Sequence, residues 1–186
     1  MSALAADTAP DADELDVYRV LFSNANRETI AIVKPDPNAN PYGAPVTVAQ
    51  GKEYVEFLKK ELKGVEDATV DDFLPKWTHV PMLTPQSKVG VKLVILEQKE
   101  VNQIKSENTH SKEDWHIAEM RVEQAFQKRF SVDGLTSISC IGFNADRTQA
   151  LVYMGTNGVG EGIVYLLERT GYKWVVKSDA QIWAAD

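Results

Sequence analysis

At 186 residues, with 44% hydrophobic and 25% charged side chains, the chain has the make-up of one globular domain that can bury a core without a metal or disulfide staple. Lys and Arg number 20 against 27 Asp and Glu, a net charge of −7, which argues against nucleic acid and anionic lipid as partners because both select clustered cations. The single cysteine, Cys140, excludes an internal disulfide, and no apolar run approaches the ~18 residues of a membrane span.

Residues 1–13 are small, acidic and poor in hydrophobic side chains and read as an acidic tail, leaving 14–186 as a single domain. Within that tail, Ala3-Leu-Ala-Ala6 before Asp7 resembles the small-residue end of a processed export signal. An exported or periplasmic location is therefore favoured over a cytoplasmic one, although an alanine-rich tail accounts for the same residues. From Glu14 to Asn24 apolar side chains recur at helical spacing, led by Leu15, Tyr18 and Phe22. Thr29–Val33 is short, apolar and β-branched, the pattern of a strand. Lys34–Pro45 holds four prolines and a glycine, which neither a helix nor a sheet ladder tolerates, so it reads as a loop able to cover a site through Tyr42.

Val46–Val48 allows a short strand. A helix is predicted over Gln50–Lys63, with Tyr54, Val55, Leu58 and Leu62 in one stripe and Gly64 at the left-handed position that ends it. Thr69-Val-Asp-Asp72 has capping-box spacing and opens a short helix that Pro75 ends or kinks. Trp77–Ser87 is a connection, Val89–Leu96 a strongly apolar strand, and Glu97–Asn108 a polar stretch with room for a helical turn. Ser111 then caps a helix running to Phe130, whose Trp115, Ala118, Val122, Phe126 and Phe130 form a broad apolar face.

Beyond Asp133-Gly134 the chain alternates short apolar runs and turn residues. Leu135–Phe143, Thr148–Met154, Ile163–Glu168 and Tyr172–Lys177 read as consecutive strands, separated by Asn144–Arg147, a glycine cluster and Thr170-Gly171. Strict alternation places Leu151, Tyr153 and Gly155 on one face and Val152 and Met154 on the other, with Ile163, Tyr165 and Leu167 alternating against Val164 and Leu166. Both faces are apolar, which fits either a sheet covered on both sides or a curved sheet enclosing a pocket. Helices early and strands late predict an α+β fold, an antiparallel meander in the C-terminal third packed against helices from the N-terminal two thirds, chiefly the Ser111–Phe130 helix.

Chemistry is thinly signalled. His79, His110 and His116 lack the spacing of a helical zinc site. The cluster Gly155-Thr-Asn-Gly-Val-Gly-Glu-Gly162 lacks the lysine of a phosphate-binding loop, and no nucleophile-elbow motif occurs. Nothing in the pattern calls for a cofactor, a metal or a catalytic residue. The aromatics carry more: Tyr153, Tyr165 and Trp174, with Tyr42 from the proline loop, are the candidate ligand-binding residues. The first functional reading is a non-catalytic module that buries a small apolar ligand or a protein partner against an aromatic-lined curved sheet. The alternatives are a hydrolase- or isomerase-type enzyme using a His/carboxylate pair, and a structural or assembly subunit whose tail and proline loop reach neighbouring copies.

Ser139-Cys-Ile-Gly-Phe-Asn-Ala-Asp-Arg-Thr-Gln-Ala-Leu-Val-Tyr153, Gly160-Glu-Gly-Ile-Val-Tyr-Leu-Leu-Glu168, Lys173-Trp-Val-Val176 and Trp183 together resemble the C-terminal signature of a family of uncharacterised bacterial proteins. Many members carry cysteines in the glycine-rich turn. This chain has none there, so no disulfide or metal role of that turn carries over, and the resemblance implies a meander and no activity. The closing strands are also similar to those of cone-shaped NTF2-like domains, which wrap a sheet around helices and leave a pocket; that likeness concerns the fold alone.

Overall fold

The computed structural model describes residues 9–25, 27–34, 48–77, 79–110, 114–132, 134–157 and 161–184. In chain order the elements are α1 (Ala12–Asn24), β1 (Thr29–Lys34), α2 (Val48–Glu61), α3 (Asp67–Phe73), a 3₁₀ turn (Leu74–Lys76), β2 (Lys92–Glu97), α4 (Gln98–Asn108), α5 (Trp115–Phe130), β3 (Leu135–Ile138), β4 (Gly142–Phe143), β5 (Gln149–Asn157), β6 (Glu161–Thr170) and β7 (Lys173–Ala184). The fold is α+β. One seven-stranded, mostly antiparallel sheet runs β2-β1-β3-β5-β6-β7, with β4 pairing on β5. Among the described residues no helix is long and apolar enough to cross a membrane.

The meander β5–β6–β7 is antiparallel as predicted. The other end of the sheet differs: β1 pairs in parallel with both β2 and β3. Ile30, Ala31 and Ile32 are consecutive and all buried, the mark of a strand covered on both faces, which parallel pairing requires. Helices intervene between β1, β2 and β3 as crossovers, so early helices and late strands are not fully segregated.

Both faces of the sheet are covered. On one face α1 presses Val17, Tyr18, Leu21 and Phe22 against Ile32, Ile138, Val152, Leu167 and Trp174. The opposite face is divided. Over β5–β7, α2, the turn after it and α3 supply Leu58, Leu62, Val70 and Phe73 against Leu151, Tyr153, Val164 and Leu166. Over β1–β3, α4 and α5 supply Val101, Ile104 and Phe126 against Ala31, Leu96 and Leu135. The alternation predicted for β5 and β6 is the one observed. The Ser111–Phe130 helix, expected across the meander, instead begins at Trp115 behind the Asp114 cap and packs on α4 over the parallel end. Val122, Phe126 and Phe130 of its predicted apolar face turn inward, but α4, a full helix where one turn was expected, offers the apolar partner.

Several boundaries moved for identifiable reasons. Asp11 caps α1 in a reciprocal box with Glu14, so the helix opens inside the stretch read as a tail. Arg147 reaches Asp11 at 2.7 Å and Asp13 at 3.4 Å, and Arg169 reaches Asp13 at 3.3 Å. Asp11 and Asp13 therefore belong to the domain. α3 opens at Asp67, ahead of Thr69, because its end is capped from the sheet and not by its own side chain. The strand expected over Leu135–Phe143 breaks at Ser139–Ile141. There the Ser139 N–H donates to the Tyr153 carbonyl (3.1 Å), the Ser139 hydroxyl accepts from the Tyr153 N–H (2.9 Å) and the Cys140 N–H donates to the His79 carbonyl (2.7 Å). The buried Tyr18 hydroxyl donates to the Ser139 carbonyl at 2.9 Å and ties α1 to the break.

Burial alone would raise the Asp11 carboxyl, but the Glu14 amide and the Arg147 guanidinium outweigh it and hold it below the ordinary 3.8. The unfolded chain therefore takes up this proton first on acidification, and the stabilisation present above about pH 4 is lost below it. Asp11→Asn keeps a capping side chain and removes the charge. The expected result is a smaller stability difference between about pH 7 and pH 3 than in the parent chain, measured by urea unfolding.

Candidate functional site

β7 is an edge strand whose register slips twice against β6: Lys177 is extra between the pairs Leu167–Val176 and Leu166–Ser178, and Ile182 between Ile163–Gln181 and Gly162–Trp183. Strict alternation would put Trp174, Val176, Ala180 and Ile182 on one face. The bulge at Lys177 reverses the parity. Trp174 and Val176 pack with α1, whereas Ala180 and Ile182 pack with α2 and α3. The Lys177 ammonium is tied to the Glu168 carboxylate.

The α2–α3 pair is fixed to the sheet by one buried amide. Gln149, 4% exposed, accepts from the Glu66 N–H (2.7 Å) and the Thr69 hydroxyl (3.0 Å) and donates to the Gly64 carbonyl (2.9 Å) and the Glu168 carboxylate (3.3 Å). Gly64 itself turns the chain at φ +83°, as its predicted left-handed role requires. Asn144 adds a second tie, donating to Glu66 at 3.1 Å while its carbonyl accepts from the Thr148 and Gln149 N–H groups.

Between α2 and the end of β7 these constraints leave an open groove of about 290 Å³, lined by Glu53, Tyr54, Phe57 and Ile182. Its floor is rigid. The Tyr54 ring meets Trp77 edge-on at 4.8 Å, and Trp77 packs against Phe73 at 5.8 Å and Tyr153 at 6.1 Å. Leu58 of the same helix and Leu62 just after its end are fully buried, so α2 spends one stripe on the core and offers its flank to the groove.

The predicted aromatics do not form one wall. Tyr153, 3% exposed, lies beneath the groove in the α2–α3 layer. Tyr165 and Trp174 lie on the opposite face with α1, and Trp174 is 4% exposed. Facing residues on neighbouring strands share a side: Tyr153 opposes Val164, and Tyr165 opposes Val152. No single cavity can touch all three rings. Tyr42 lies outside the described residues, as does the rest of the proline loop after Lys34, which ends β1. Of the groove residues, Tyr54 stood in the predicted stripe. Phe57, Glu53 and Ile182 were not singled out; an aromatic outside the Tyr54–Leu58 stripe was the one signal that could have marked Phe57.

The histidines offer little to an acid–base mechanism. The buried His79 Nδ1 has no hydrogen-bond partner; His110 and His116 are exposed. No group of three His, Cys, Asp or Glu able to hold a metal occurs among the described residues. Burial, reinforced by the Glu14 charge and opposed by Lys76, pushes the Cys140 thiol up to about 11, so it stays protonated and unreactive. The native protein is expected to resist iodoacetamide at about pH 8 while the urea-unfolded chain reacts. Because the unfolded thiol ionises first, stability should fall as pH climbs from 9.0 towards 11.

The Arg147 and Arg169 guanidiniums stack on Phe143 (4.4 Å) and Trp174 (5.9 Å) while holding Asp11 and Asp13. Their charge is met within the fold, which makes this cluster a clamp on α1. Comparison with known proteins finds no matching family model, no matching curated protein and no matching solved structure, so the functional reading rests on the geometry of the groove.

Proposed function

We propose that this chain is a non-catalytic binding module that buries a small apolar ligand in the groove between α2 and β7. The observation that carries the reading is the groove itself: about 290 Å³, open, walled by Tyr54, Phe57 and Ile182 and backed by the Trp77 aromatic stack. Its volume is near the ~300 Å³ at which small-molecule sites begin. A ligand gains about 25 cal/mol for each Å² of apolar surface it removes from water here, less the cost of its lost translational freedom, so weak binding is expected.

An acid–base enzyme would need a histidine held by a carboxylate in a cleft. Among the described residues no histidine lines the groove, and Glu53 has no such partner lining it. This favours binding over catalysis. The proposed site replaces a pocket lined jointly by Tyr153, Tyr165 and Trp174, whose rings lie on two faces of the sheet.

The test is titration with 1-hexanol followed by ligand-observed NMR. Binding in the millimolar range is expected for the parent chain. Phe57→Ala should weaken it at least about fivefold, the loss of one aromatic wall, with an unchanged circular dichroism spectrum. Equal binding by parent and variant would remove the groove as the site.

A further inference from the structure

We infer that the groove selects an organic cation: a small amphiphile with an apolar body and one ammonium or guanidinium head. This rests on the binding reading above and adds the charge of the occupant. Of the described residues lining the groove, Tyr54, Phe57 and Ile182 present apolar or aromatic surface, and Glu53 is an exposed carboxylate on the same helix as Tyr54 and Phe57. Glu56, also exposed, stands beside it at helical i, i+3 spacing.

The α2 lysines whose side chains are described, Lys59 and Lys60, are engaged away from this charge. Lys59 is bound to Asp67 at 2.7 Å and Lys60 to Glu61 at 3.4 Å, both towards the far end of the helix. The net charge of −7 adds a field that draws cations and repels anions. Tyr54 and Phe57 supply ring faces, and a cation close to such a face is attracted to it while its alkyl chain lies along Ile182. An anionic amphiphile of the same shape meets the same apolar walls but an opposing carboxylate.

Three probes with the same alkyl chain separate these contributions: hexyltrimethylammonium, 1-hexanol and heptanoate, each titrated below its micellar range at low salt and followed by NMR. The cation is expected to bind about fivefold more tightly than the alcohol, as one surface charge pair with an aromatic neighbour allows, and heptanoate more weakly than the alcohol. Raising NaCl to about 0.5 M should bring the cation and alcohol together, because exposed charges are screened. Glu53→Gln should bring their ratio close to one. Glu119→Gln, the same charge change on the exposed side of α5, should leave the ratio as it is.

If hexanol binds and the cation binds no better, the inference is wrong and the groove reading stands. An equal loss of preference in Glu119→Gln would assign the effect to net charge and overturn the role of Glu53. Should none of the three probes bind, the groove reading itself is wrong and the inference falls with it.

Discussion

Gln149→Leu is expected to lower stability by about 2–4 kcal/mol, seen as a lower urea midpoint with an unchanged slope. The leucine fits the volume but bonds to nothing. The Glu66 N–H, the Thr69 hydroxyl and the Gly64 carbonyl each lose their partner on Gln149, and a buried polar group left unpaired costs about 1–3 kcal/mol before relaxation. Local movement and water entry reduce the sum, which is why the expected total is well below three full penalties. Gln149→Glu should also destabilise. Its second oxygen would face the Gly64 carbonyl and the Glu168 carboxylate, where the amide now donates. A cost under about 0.5 kcal/mol for the leucine variant, the range of an ordinary surface change, would mean that the α2–α3 turn is held by its apolar contacts alone.

Gly142→Ala is the second large effect. A Cβ at this position would lie 2.4–2.5 Å from the Phe73 N, Cα and Cβ atoms, closer than carbon atoms approach. α3 crosses β4 here so tightly that the Phe73 ring can stack with Trp77 beneath the groove, and the Phe143 N–H donates to Asp72 at 2.8 Å. Inserting the methyl group forces α3 away from the sheet. The expected loss is about 1–3 kcal/mol or more, as for other overpacked cores, together with a changed tryptophan emission spectrum. The clash is mainly with backbone, so truncating the neighbour cannot relieve it. The double variant Gly142→Ala with Phe73→Leu should be no more stable than Gly142→Ala alone. Recovery in the double variant would show that the ring, and not the close backbone approach, sets the constraint.

These two positions mark the limit of what the sequence shows. Gln149 reads as one more polar residue at the start of a strand, and Gly142 as a glycine near a turn. Neither spacing nor propensity gives Gln149 its partners Gly64, Glu66 and Thr69 or Gly142 its helix, because those come from a segment some 70–85 positions earlier in the chain.

The same division runs through the whole molecule. Local pattern determined the α+β class, the order of the meander, the inward stripes of α1 and α2, and the opposite faces of Val152 and Tyr153. Those features depend on side-chain period and turn chemistry, which neighbouring residues set. Only the tertiary structure decided the parallel pairing of β1, the seat of α5 over β1–β3, and the bulge at Lys177 that turns Ala180 and Ile182 towards α2. These depend on which distant apolar surfaces meet and on where a strand gains one extra residue. The groove depends on both: Tyr54 and Phe57 lie on a helix whose period is written locally, while Ile182 reaches them only through a change of strand parity that no short window of sequence records.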